Sequence, residues 1–149
     1  MSTGFQYQVY VGETKEKGRG IFTREFIPKG SLVWTLTNIN HLSFTHSQLL
    51  EYLADKSDIE KKFIINHIYI YQSRAILCTD NAELVNHSSQ PNLCESDTDQ
   101  KMGCWSVRDI LPNEELLDSY KTYETPQWYL ELCKSAGVES SADVARLYS

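Results

Sequence analysis

Short stretches of alternating apolar and polar residues, interrupted by glycine and proline, fill the first third of the chain. Tyr7 to Val11 and Ser31 to Leu36 are β-rich apolar runs set off by Gly12, Gly18, Gly20, Pro28 and Gly30, which predicts two or three short strands joined by tight turns. The period changes at Thr45 to Ala54, where Leu49, Leu50 and Leu53 share one helical face behind Ser47, a good N-cap residue, with Glu51 near the first turn. A helix is expected there, resumed from Asp58 to Asn66. Ile64 to Leu77 is rich in Ile and Tyr and alternates at Ile68, Ile70 and, less strictly, Ile76, a pattern that favours strands. Ala82 to Val85 and Gly103 to Val107 also read as strand. After Tyr120 the pattern turns helical, with Thr125 as cap, Pro126 at the first helical position and Gly137 as the stop, and a second short helix starts near Ser141. The expectation is a mainly β chain with a few short helices and a helical C-terminal tail.

Composition narrows the class. A chain of 149 residues suits one domain with an ordinary core. Its apolar fraction of 41% and charged fraction of 23% are those of a globular protein. No stretch approaches the roughly 18 apolar residues that a membrane helix needs, and Met1 to Tyr10 has no basic start followed by an apolar run. An intracellular protein, cytoplasmic or nuclear, is therefore expected. Cys78, Cys94, Cys104 and Cys133 contain no CxxC pair to present two thiolates to a zinc ion, so buried free thiols are expected rather than a metal site or disulfides. The net charge of −6 argues against a protein that coats nucleic acid, whose affinity is built from clustered Lys and Arg. An acidic surface instead attracts basic segments.

Three separated segments carry candidate chemistry. Lys17-Gly18-Arg19-Gly20-Ile21-Phe22, followed by Ile27-Pro28-Lys29-Gly30, has glycines whose missing Cβ lets backbone amides approach a carboxylate, although a glycine-rich hairpin turn accounts for the same letters. Asn86-His87-Ser88-Ser89-Gln90-Pro91-Asn92 is a polar run that no core strand would choose. Val107 to Tyr120 reads Val-Arg-Asp-Ile-Leu-Pro-Asn-Glu-Glu-Leu-Leu-Asp-Ser-Tyr.

Taken in order, these segments resemble the SET domain family over Gly18 to Tyr120. The middle one is similar to that family's N-H-S-C-x-P-N signature with Ser89 in place of the cysteine. The third is similar to R-D-I-x-x-G-E-E-L-x-x-D-Y, with Asn113 where glycine is usual and Ser119 where the last aspartate is usual. Asn is the ordinary residue most tolerant of left-handed backbone, so the first of those departures is mild. The resemblance implies a SET fold: β-clip-like small sheets with a knot-like threading of the Asn86-His87 segment, over residues 1–122, with 123–149 as a helical extension completing the same domain.

Function follows from the resemblance as expectation. It implies S-adenosylmethionine as cofactor, held by Gly18, Arg19, Gly20, Asn86 and His87, with Trp128 closing over the adenine or packing in the core with Tyr129 and Leu132. It implies Tyr120 as the catalytic residue beside the transferring methyl group, and a protein or peptide substrate with an accessible lysine, a basic segment being a natural one. Free lysine, with a pKa of about 10.4, must lose its proton before it can attack, and a desolvated channel beside a sulfonium lowers that pKa. Leu36, Glu95 and Tyr123 stand at the substrate channel. Leu36 replaces a channel tyrosine in a V-x-x-Y pattern, Glu83 replaces an arginine, and Glu95 either pairs with a substrate amine or faces solvent, solvent being the favoured reading. No metal, nucleic acid or membrane is implied, and a homodimer is admitted. A SET-fold module that binds a partner without catalysis is the alternative that those replacements support.

Overall fold

The alternation of the N-terminal third is realised as a hairpin, in which β1 (Val9–Glu13) pairs antiparallel with β2 (Arg19–Thr23), Val11 opposite Ile21 and Gly12 opposite Gly20. The computed structural model of the chain describes residues 3–98 and 101–148. Ile21 and Thr23 of β2 are fully buried while the tip is exposed, the burial pattern of a two-stranded ribbon laid on a core by one face.

Two three-stranded antiparallel sheets form the body among the described residues. In one, β3 (Leu32–Thr35) and β8 (Leu93–Thr98) flank β9 (Lys101–Ser106), with Trp34 opposite Cys104 across a bulge and Cys104 opposite Glu95. In the other, β4 (His41–Phe44) and β5 (Tyr69–Tyr71) flank β6 (Arg74–Cys78). Between β4 and β5 run helices α1 (His46–Leu53) and α2 (Asp58–His67). The tail supplies α3 (Gln127–Ala136) and α4 (Ser141–Leu147).

Two cores result. Ile21, Ile27, Val33, Trp34, Ile110 and Leu116 join the small sheets, whereas Leu49, Leu53, Ile64, Ile65, Tyr129 and Cys133 pack α1, α2 and α3 against β5 and β6. Each fully buried aliphatic side chain of this size contributes about 1.5–3 kcal/mol. The C-terminal tail is tied to the body by this apolar contact and by the Glu124 carboxylate, which accepts from Gln72 N–H and Ser73 N–H.

A last strand pair sets the chain path. β7 (Asn86–His87) lies parallel to β10 (Leu117–Asp118), with Leu117 opposite Asn86 and Asp118 opposite His87. Parallel strands cannot be joined by a hairpin turn, and the connection here is the whole β8–β9 hairpin and the 107–116 segment. Asn92 holds it in place: its amide NH2 donates to the Glu115 carbonyl at 2.8 Å, its side-chain oxygen accepts from Leu117 N–H at 2.8 Å, and its own N–H donates to the Leu117 carbonyl at 3.1 Å. Asn113 adopts φ 71°, the left-handed conformation anticipated for it.

Several expected elements are corrected. Ala82 to Val85 is not a strand: Asp80 accepts from Ala82 N–H at 3.2 Å and Asn81 sits at φ 74°, so Ala82–Leu84 closes as a single 3-10 turn. The cap of α1 is Thr45, not Ser47, because Thr45 and Gln48 satisfy each other's backbone N–H groups in a capping box. Of the three leucines expected on one face, Leu49 and Leu53 are buried and Leu50 is exposed. Ile64 and Ile65 belong to α2 rather than to a strand. Pro126, not Thr125, precedes the first turn of α3, while Gly137 ends it at φ 71° as expected. Of the cysteines, Cys78, Cys104 and Cys133 are buried free thiols and Cys94 is exposed.

Candidate functional site

The site grows from the β7–β10 pair. The Asn86 amide donates to the Arg19 carbonyl at 3.0 Å and to the Glu115 carboxylate at 2.8 Å, joining the glycine-rich hairpin to the segment before β10. A Cβ on Gly20 would come within 2.5 Å of the Glu115 carboxylate and 3.0 Å of the Asn86 amide and would push that bridge aside. Gly18, at φ 70° with open space around it, turns the hairpin.

His87 is 2% exposed. Its Nδ1 accepts from Tyr120 N–H at 3.0 Å, which assigns the proton of a neutral ring to the other nitrogen. Burial, with Lys17 and Lys121 nearby, holds its pKa below the usual histidine value. Lys17 also donates to the His87 carbonyl at 2.9 Å. Two lysines thus stand beside the β7 backbone, a setting suited to a carboxylate. The Tyr120 hydroxyl donates to the Val85 carbonyl, and burial raises its pKa well above that of a free phenol. A cavity of about 300 Å³ is lined by Tyr120, Lys121, Tyr123, Thr125 and Arg146 among others.

Aromatic rings continue the site as a row. His87 lies 5.3 Å from Tyr120, Tyr120 stacks on Tyr123 at 4.9 Å, and Tyr123 meets Tyr69 at 5.6 Å. At the end of the row the Tyr123 hydroxyl donates to Asp118 at 3.0 Å. Glu95 is half-buried, where the favoured expectation had it facing solvent. Pairing with Cys104 across β8 and β9 turns its side chain inward, where one ligand atom each of Glu95, Asp118 and Cys104 lies within 4.8 Å of the others. Burial first, and the Asp118 charge second, push the Glu95 carboxyl up to about 8. Burial raises Asp118 as well.

A pH dependence of stability follows. Glu95 ordinarily titrates at 4.5 and here at about 8, so the folded chain holds a proton that the unfolded chain has released anywhere between those values. Its contribution is therefore full below the unfolded value and is lost as pH rises through the folded one. Thermal melts from about pH 6 to about pH 9 should show a declining midpoint that flattens in Glu95→Gln. An equal slope in both proteins would place the titration elsewhere.

The other expected site residues are dispersed. Arg19 is exposed and offers its carbonyl to Asn86. Leu36 is half-buried against the main core, with its N–H on the Met102 carbonyl. Trp128 stacks on His46 at 4.5 Å and packs on the second core, edge-on to Tyr129. Glu83 is half-buried with one carboxyl oxygen unpartnered. Asp118, Cys104 and Tyr69 were not singled out in the sequence. For Asp118 the available signal was a carboxylate two residues before Tyr120, directly after the apolar pair Leu116-Leu117.

Comparison with known proteins gives a consistent picture. The family model described as SET domain matches residues 18–121. The curated histone-lysine N-methyltransferase SETMAR of Homo sapiens is 31% identical over 147 residues, covering 91% of this chain and 21% of that protein. The chain spans less than half the length of the curated relatives it matches. Among solved structures, the methyltransferase domain of human SETMAR aligns with a TM-score of 0.55 at 25% identity, over 78% of this chain and 45% of that one. KRYPTONITE, in complex with mCHH DNA, an H3(1-15) peptide and SAH, aligns with a TM-score of 0.52 at 20% identity, over 78% of this chain and 24% of that one.

Proposed function

The chain belongs to the SET domain family, and on that premise we propose that it is an S-adenosylmethionine-dependent methyltransferase acting on a lysine side chain of a protein. The observation that carries this reading is the hydrogen bond from Tyr120 N–H to His87, which locks the candidate catalytic tyrosine onto the β7–β10 junction. The names of the relatives support it, since SETMAR is a histone-lysine methyltransferase and KRYPTONITE was solved with a histone peptide and SAH.

The residues present fit the cofactor. Asn86 and His87, with the hairpin of Gly18, Arg19 and Gly20, would hold it, and Lys17 and Lys121 beside His87 suit its amino-acid carboxylate. When bound, it supplies a methyl group on a positively charged sulfur. Tyr120 would orient the amine, and Tyr123, with Leu36 farther out, would border the lysine channel. Residues 123–149 complete the same domain, their apolar face covering α1 and α2. A basic protein segment suits the net charge of −6.

Calorimetric titration with S-adenosylmethionine tests the reading. Saturable one-to-one binding is expected, lost in Asn86→Ala because that amide bridges Arg19 and Glu115. A folded sample that takes up no cofactor at millimolar concentration would overturn it. Transfer of labelled methyl to histone H3 then tests the acceptor class.

A further inference from the structure

The methyltransferase reading leaves a buried carboxyl, Asp118, and a half-buried one, Glu95, beside Tyr123 without a role. They are joined to each other and to the Tyr123 hydroxyl. The Cys104 thiol that touches them is 8% exposed and has no hydrogen-bond partner among the described residues. The Tyr69 hydroxyl, on the ring that meets Tyr123, is buried with no partner either. The groups acting on Glu95 are Asp118 and Tyr123, and those acting on Tyr69 include Cys78, Cys104 and Glu95. No cationic side chain figures among the groups acting on either carboxyl. Buried carboxyls are ordinarily paired with a cation. Tyr123, whose hydroxyl donates to Asp118, stacks on Tyr120 and lines with it the neighbouring cavity, and ring faces attract ammonium groups.

We propose that Glu95 and Asp118 are the amine-recognising pair of the substrate channel, Asp118 holding the incoming ammonium by charge and Glu95 taking its proton. The amine's identity as a lysine side chain rests on the methyltransferase reading above. Asp118 is the better anion of the two, because Ser119 N–H at 2.8 Å and the Tyr123 hydroxyl at 3.0 Å both donate to it. Glu95 therefore keeps the shared proton while the channel is empty. Entry of an ammonium favours the doubly charged pair, and the Glu95 proton leaves to solvent. An N–H bond of the ammonium then breaks with its electron pair left on nitrogen, and an O–H bond forms on Glu95. The neutral amine so produced is the form that can attack a methyl group, and departure of product lets the pair return to its starting state.

The test uses the full chain and n-butylammonium as a mimic of the lysine tip. Carbon-13 carboxyl shifts report Glu95 directly, and calorimetry in two buffers of different ionisation enthalpy counts protons. At about pH 7, binding should release close to about one proton per amine and lower the Glu95 midpoint. Glu95→Gln should bind the amine with no proton released, and Asp118→Asn should bind it at least about tenfold more weakly. Neutral n-butanol should leave the Glu95 signal unmoved. A folded wild-type protein whose Glu95 midpoint ignores the amine overturns the proposal, as does proton release undiminished in Glu95→Gln. Failure of the methyltransferase reading shows itself separately, as absent S-adenosylmethionine binding with the Glu95 response to the amine intact.

Discussion

Asp80→Ala is expected to lower the unfolding free energy by about 4 kcal/mol. Asp80 is 6% exposed, and one of its oxygens accepts from Gly4 N–H at 2.7 Å, the Trp34 indole N–H at 2.9 Å and the Asn40 amide at 3.1 Å. Its other oxygen fixes the 3-10 turn through Ala82 N–H. Truncation leaves the Gly4 and Trp34 N–H groups without an acceptor and the Asn40 amide with the Thr35 carbonyl alone, each lost partner costing roughly 1–3 kcal/mol, with partial relief from relaxation or an entering water. Little room for relaxation exists at Gly4, where even a Cβ would lie 2.2 Å from the Thr35 carbonyl. For a chain of this size the loss corresponds to a fall of about 8–16 °C in melting temperature. Asp80→Asn, which keeps one acceptor oxygen, should fall between the two. A fall of under about 1 kcal/mol in Asp80→Ala would mean that water replaces the carboxyl as acceptor.

Tyr120→Phe is expected to reduce turnover by about 10²–10³-fold, the scale seen when one preorganised polar group is removed from a reaction centre. The substitution keeps the ring, its stack on Tyr123 and the backbone N–H that His87 accepts. It removes the hydroxyl, which also caps the Val85 carbonyl, so a stability loss of about 1 kcal/mol accompanies the kinetic effect. Cofactor affinity should hold within about threefold, because the change is confined to the reacting end. Turnover near that of wild type, measured with the acceptor found in the histone screen, would remove Tyr120 from the chemistry. A parallel fall in cofactor affinity would instead make the hydroxyl a support for β7 through Val85.

Much of the site was legible because it is local. The Asn86-His87 run and the segment ending at Tyr120 are contiguous strings whose polarity contradicts a core strand, and Asn113 announced its left-handed turn by residue type. Helices were recognised by period, and α2 and α4 begin where expected, at Asp58 and Ser141, whereas the caps of α1 and α3 were misplaced. Thr45 and Ser47 are both good caps, and only the reciprocal bonds with Gln48 decide between them. Ala82 to Val85 was misread because its apolar letters fit a strand equally well, and the group that bends it is a side chain outside the run, Asp80.

Alone, then, the amino-acid sequence determined the family, the glycine and asparagine turns, the helical tail and the tyrosine to examine, since each rests on near neighbours along the chain. Tertiary structure decided which way Glu95 points, that Trp128 lies on the second core with His46, and that Asp118, Cys104 and Tyr69 meet at the end of an aromatic row. The reason is physical. A strand residue may face water or core with the same letters around it, and the choice is made by the register of β8 on β9 and by the parallel seating of β10 on β7. Once the fold packs the half-buried Glu95 against the buried Asp118, desolvation and like charge change what each can do, and neither effect exists until the two are brought together.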